Sequence, residues 1–288
     1  MTGSNLVYGV FLPALIAGVL LLLGGRGTRL AGRPRPFLGA LAIGAGYLVA
    51  HWMIVGEIFV PPSGERVPAP VDWLAWIVLG VIVLALLRGW PDRARWIGSM
   101  YIVLFSLLVS HLIVGSALDD DVAGHFGRAA LAAALVVVWY ALERLALKSS
   151  GPALPFALLV AGSGIAVCSL SSHVAVFAQL TGAVCSALGA ALLLGVLDKA
   201  FRLPIGAVAV TVVVYAAAIV QAWIYGLPPL AAVLLVVSVV AAWVSETGKL
   251  AHASPVKRAL IAAGAAAVPA AIAVALTRAA FHSGASGS

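Results

Sequence analysis

Long apolar runs separated by short polar or proline-rich breaks dominate this chain from end to end. The runs fall at residues 6–25, 37–60, 71–87, 96–118, 129–147, 152–172, 180–197, 204–225, 230–245 and 259–277. About 20 apolar residues carry a helix across a bilayer, so each run is read as one membrane crossing. The break between the sixth and seventh runs is placed within 171–182. The uninterrupted stretch from 152 to 197 is too long for a single crossing at about 1.5 Å per residue. Pro13 and Pro269 fall inside runs and predict bends. The tail 281–288, FHSGASGS, reads as disordered. The expected fold is therefore all-α, a polytopic integral membrane bundle of about ten helices forming a single transmembrane domain.

The second run, FLGALAIGAGYLVAHWMIVGEIFV, is the one around which the bundle is expected to form. Its helical period places Ala42, Gly46, Ala50, Met53 and Glu57 on one face. Gly44, Tyr47 and His51 occupy a second face. Small residues four apart let neighbouring helices approach closely. An ionisable group at membrane depth is normally turned toward protein or water. A helix with two such faces belongs inside the bundle.

The charge pattern orients the chain. With the N-terminus outside and ten alternating crossings, 14 of the 17 basic residues fall in inner loops. Only Arg66, Arg128 and Arg278 fall outside. The reverse orientation breaks the positive-inside rule. Both termini are thus expected outside. Trp73, Trp76, Trp223 and Tyr225 fall at outer ends, and Trp90, Trp96, Trp139, Tyr140 and Trp243 at inner ends, as interfacial aromatics should. No charge precedes the first run, whereas Arg26 and Arg29 follow it, the opposite of a secretory signal. The expected location is the plasma (inner) membrane, as a multi-pass protein.

Composition agrees. Of 288 residues, 63% are hydrophobic and 9% charged, with a mean hydropathy of +1.13. Soluble domains carry about 25% charge. The net charge of +7 does not indicate nucleic acid, because its basic residues lie in short loops between apolar runs. Cys168 and Cys185 both sit within apolar runs and read as small core residues.

Candidate chemistry collects on one side. The outer halves of the runs hold His51 and Glu57, His111 before Asp119–Asp121, and His173. Asp72 opens the third run on that side, and His125 lies in the loop after the aspartates. Ser99, Ser106 and Ser110 form a stripe on the fourth run; with Ser169, Ser172, Thr211 and Gln221 they are candidates to line a polar cavity. The competing reading is that such hydroxyls and amides only hold helices together, at roughly 0.6–2 kcal/mol per contact.

The leading expectation is passage of a small solute or ion through a polar vestibule open to the outer face. His51, Glu57, His111, His173, Ser106 and Ser110 are the candidate pathway or proton-coupling residues. The alternative is a non-catalytic anchor or assembly subunit of a larger complex, binding haem or metal through the membrane histidines. Its docking surface would be Gly182, Ser186, Ala187, Ala190 and Ala191 of the seventh run. The chain has no HExxH, CxxC, CxxCH, phosphate loop or dinucleotide fingerprint, so no cofactor and no catalytic residue is assigned. Ser169 and His173, four apart, are a weak candidate for a nucleophile and its base. The expected partners are the bilayer, a small solute or ion, and another subunit meeting the small-residue faces, with no nucleic acid.

Overall fold

The computed structural model describes residues 7–31, 36–56, 69–88, 94–114 and 122–285. Among them the regular structure is helical throughout. A π turn, Val7–Phe11, leads into α1 (Leu12–Ala31). Then come α2 (Pro36–Val55), α3 (Pro70–Arg88), α4 (Ala94–Val114) and α5 (Val122–Lys148). The second half holds α6 (Ala153–Ser171), α7 (Ala175–Leu197), α8 (Ile205–Ile224), α9 (Pro229–Val240) and α10 (Pro255–Ala285). Seven of the helices are long and apolar enough to cross a membrane: α2, α5, α6, α7, α8, α10, and α9 with the turn that extends it. Shorter apolar stretches occur at Gly9–Gly24, Pro70–Leu86 and Met100–Val114.

The centre of the bundle is α8, not α2. Its apolar window is 89% buried, against 61% for α6, the next most enclosed span. It packs on α2, α3, α4, α5, α6, α7 and α9. Its sequence, IGAVAVTVVVYAAAIVQAWI, is apolar apart from Thr211 and Gln221, as a membrane span should be, and its burial comes from the helices packed around it.

The helix α2 is a tight joint beside that centre. Three of its glycines meet three different neighbours. A Cβ on Gly39 would lie 2.3 Å from Pro204 Cβ, at the entry to α8. One on Gly44 would lie 2.5 Å from Ile82 of α3, and one on Gly46 would lie 3.1 Å from the Pro13 carbonyl of α1. Ala42, Tyr47, Ala50 and His51 are fully buried, whereas Trp52 and Met53 are exposed. The helix stops at Val55, because Gly56 takes a positive φ of 89° and donates its N–H to the Trp52 carbonyl at 2.8 Å. The expected continuation through Glu57 to residue 60 lies outside the described residues.

Two helices of the second half end alike. After α8, Gly226 (φ 100°) bonds back to the Trp223 carbonyl, and the buried Leu227 bonds back to Ala222 at 2.8 Å. After α6, His173 (φ 60°) bonds back to Leu170, and Val174 bonds back to Ser169 at 2.9 Å. Both are left-handed helix stops, in which glycine is the usual residue. His173 therefore sets the break between α6 and α7 at 172–174, at the start of the window expected from the sequence. Replacing His173 by Gly is expected to leave thermal stability equal or higher. His173→Val is expected to cost about 1–2 kcal/mol, because a β-branched residue fits that conformation poorly. Thermal unfolding of the two variants checks this.

Other boundaries also differ from the expected ones. The helix α5 begins at Val122 rather than 129. The ninth run is α-helical only to Val240 and continues as a 3₁₀ helix, Ala241–Glu246, before a second 3₁₀ turn, Gly248–His252. Residues 281–285, expected in a disordered tail, extend α10. At the start of α3, Asp72 is the third helical residue, and its carboxylate accepts the Ala69 N–H at 2.8 Å. This is half of a capping box, with Pro70 at the first helical position where its missing N–H does no harm.

Candidate functional site

Of the candidate residues, His51 stands in the least ordinary surroundings. It lies one turn before the end of α2 and is fully buried. Its Nδ1 is 3.1 Å from the Tyr47 hydroxyl, one helical turn back. Its Nε2 is buried with no hydrogen-bond partner among the described residues. Gly44, Tyr47 and His51 share the side of α2 that meets α3, as the contact of Gly44 with Ile82 and Val78 shows. Asp72, whose carboxylate caps Ala69, is the acidic residue in the first turn of α3, the helix that this side of α2 meets. The imidazole itself is held by an i, i+4 phenol on its own helix. A buried polar atom left unpaired costs about 1–3 kcal/mol, so its retention calls for an explanation.

The remaining candidates separate from it. His111, near the end of α4, is exposed, and so is His173 in the turn after α6. The His173 ring meets Phe281 edge-on, with centroids 5.6 Å apart. No three His, Cys, Asp or Glu side chains gather as a metal-ligand set among the described residues. Of the three membrane histidines, His51 is thus enclosed, whereas His111 and His173 are exposed at helix ends. Glu57 and Asp119–Asp121 lie outside the described residues.

The hydroxyls divide into two groups. Ser110 donates to the Leu107 carbonyl at 2.9 Å, and Thr211 donates to Ala207 at 2.9 Å, each within its own helix. Gln221 donates to the Ile113 carbonyl at 2.9 Å and so ties α8 to the end of α4. These three do structural work. Ser106, Ser169, Ser172 and Thr181 are fully buried, and their hydroxyls have no partner among the described residues. The Ser169 hydroxyl therefore makes no bond to His173, since the helix ends between them and turns the imidazole outward. That removes the pairing on which the nucleophile-and-base reading depended. The side chain of Ser99 is not among those described.

Sequence reasoning missed a polar junction between α6, α7 and α8. The Tyr215 hydroxyl donates to the Leu158 carbonyl at 2.8 Å and lies 3.6 Å from Cys185 Sγ. Gly162 leaves the room for both: a Cβ there would sit 2.0 Å from the hydroxyl and 2.6 Å from the sulfur. The signal available in the sequence was a tyrosine in the middle of a largely aliphatic helix. On the small face of α7, Ala187 and Ala191 are fully buried and Ala190 meets Gly18 of α1, while Ser186 is half-buried and open space lies beside Gly182.

No protein-family model, curated protein or solved structure matches this chain. The buried imidazole and the unpaired hydroxyls must therefore carry the functional reading by themselves.

Proposed function

We propose that the chain is a ten-crossing plasma-membrane protein, with both termini outside, that passes a small solute or ion and exchanges a proton at His51. The observation that supports this is the His51 Nε2 atom, enclosed and without a partner among the described residues, in a span apolar enough to cross the bilayer. Ionisable residues in such spans are functional by default, because an idle one is replaced at a gain in stability. Imidazole suits the task, since it gains and loses its charge near neutral pH. Tyr47 orients the ring through Nδ1 and leaves Nε2 as the exchanging atom.

The test uses the full chain in proteoliposomes with a trapped pH-sensitive dye, under an imposed pH gradient and a potassium diffusion potential. Wild type is expected to move protons faster than empty vesicles. His51→Phe is expected to slow this at least about 100-fold, the lower range for a positioned acid–base group. Size-exclusion and thermal-unfolding profiles confirm that the variant is folded. Equal flux in wild type and His51→Phe, or wild-type flux no greater than that of empty vesicles, overturns the proposal.

A further inference from the structure

The meeting of Tyr215, Gly162 and Cys185 marks a seam shared by α6, α7 and α8. The seam can be followed from there toward the turn at His173. Phe281 of α10 meets both the His173 ring and the position of a Cβ on Gly226, so α6 and α8 run in parallel and end at one height. The helix α7 runs the other way, with Gly162 opposite Cys185 and Gly151 opposite Gly195.

Helical geometry then fixes which residues come next along the seam. Ser169, seven residues after Gly162, returns to the same face of α6 within about 20° and lies about 10.5 Å further on. Ala222, seven residues after Tyr215, does the same on α8. On α7, Thr181 is four residues before Cys185, within about 40° of its face and about 6 Å further on. Ser169 and Thr181 therefore face one another across the seam, offset by about 4.5 Å along it. The Cα–Cβ bonds of a helix tilt toward its N-terminus. In two antiparallel helices that tilt leans these two side chains toward each other.

Yet the two hydroxyls do not meet. Both residues are fully buried, and neither hydroxyl has a hydrogen-bond partner among the described residues. The third wall of the seam is alanine at this level, with Ala218 and Ala222 of α8 both fully buried. At the level of Gly162 the Tyr215 phenol crosses from α8; two turns on, only methyl groups do. Ser172, ten residues after Gly162, is turned about 80° from the seam and takes no part.

We infer that Ser169 and Thr181 hold one ordered water between α6, α7 and α8. Buried waters make two to four hydrogen bonds, typically to polar groups that otherwise have none. Two O–H···O bonds of about 2.8 Å through a single oxygen reach across a gap of this size. The spans of α6, α7 and α8 carry no charged side chain, so the seam suits a neutral ligand rather than an ion. The site lies apart from His51 and does not depend on proton exchange there.

The test is a double-mutant cycle on the thermal or denaturant unfolding of the full chain in mild detergent, with Ser169→Ala, Thr181→Val and both together. Size-exclusion confirms that each variant is folded, and Thr181→Ala replaces Thr181→Val if valine crowds the seam. Each single variant is expected to lower the midpoint, because it takes one partner from the shared water. The double variant is expected to lower it no further than the larger single one. The coupling expected is about 5-fold in the unfolding equilibrium, in the range for residues that share one partner. An experimental density map should show a peak between the two oxygens. Additive losses overturn the inference, since each hydroxyl would then bond only its own helix. A midpoint that rises when either hydroxyl is removed overturns it too, since the seam would then be dry. So does a map with no peak between the oxygens or with the oxygens in direct contact.

Discussion

Gly39→Val is expected to abolish the folded protein at ordinary temperature. The first added atom would lie 2.3 Å from Pro204 Cβ and 3.1 Å from the Ala207 backbone nitrogen. Neither neighbour is the end of a flexible side chain. Pro204 has no rotamer to change, and Ala207 N is part of the first turn of α8. Relief requires α2 and α8 to move apart, and α8 is packed against helices on every side. Overpacking in a close-packed interior costs about 1–3 kcal/mol and more where backbone must shift. Such a loss is a large share of the roughly 5–15 kcal/mol that holds a domain folded. Expression followed by size-exclusion in mild detergent reads the outcome: wild type elutes as one peak, and Gly39→Val should be aggregated or absent. Gly9 is the matched control, because nothing lies within 4 Å of a Cβ placed there, and Gly9→Ala should behave as wild type.

Gly162→Val is expected to cost about 3 kcal/mol for a related reason. Its Cβ would overlap the Tyr215 hydroxyl at 2.0 Å and Cys185 Sγ at 2.6 Å, and would drive the phenol off the Leu158 carbonyl. The clash here is with side chains, so it has a specific remedy. Tyr215→Leu removes the hydroxyl and the ring carbon 2.5 Å away, and the double variant should recover part of the loss. A double-mutant cycle on thermal or denaturant unfolding measures the coupling, expected at about 1–2 kcal/mol for residues in direct contact. Purely additive effects would show that Tyr215 does not occupy the space Gly162 vacates.

The helical character of the chain was legible because lipid imposes it: backbone polar groups in hydrocarbon must pair within their own helix, and the apolar runs record that directly. The centre of the bundle was less legible. Residues 37–60 stand out by His51, whereas α8 is apolar apart from Thr211 and Gln221. That apolarity does not mark it as central, because a lipid-facing span is apolar too; its burial comes from the helices around it. The ends of helices depended on single residues. Gly56 ends α2 after Val55, as its position allows, but His173 ends α6, where sequence reasoning saw only a ligand or a base. Its backbone conformation, not its imidazole, explains its place in the turn.

Which polar groups would be satisfied was not readable at all. Ser106 and Ser110 are one turn apart on α4 and look equivalent. Yet Ser110 bonds its own helix, while the Ser106 hydroxyl has no partner among the described residues. The difference lies in rotamers and neighbours, which spacing does not encode. The burial of each histidine was hidden for a simpler reason. A shared side of the membrane fixes height only, and residues at equal height can face inward or outward around the bundle.

The change from α to 3₁₀ geometry after Val240 has a consequence for reach. Twelve α-helical residues advance about 18 Å, and six 3₁₀ residues add about 12 Å. The same 18 residues wound uniformly would fall some 3 Å short of a hydrocarbon core of about 30 Å. By winding its last turns into a narrower, longer coil, the shortest full-length span gains the missing reach and carries Trp243 outward along its axis.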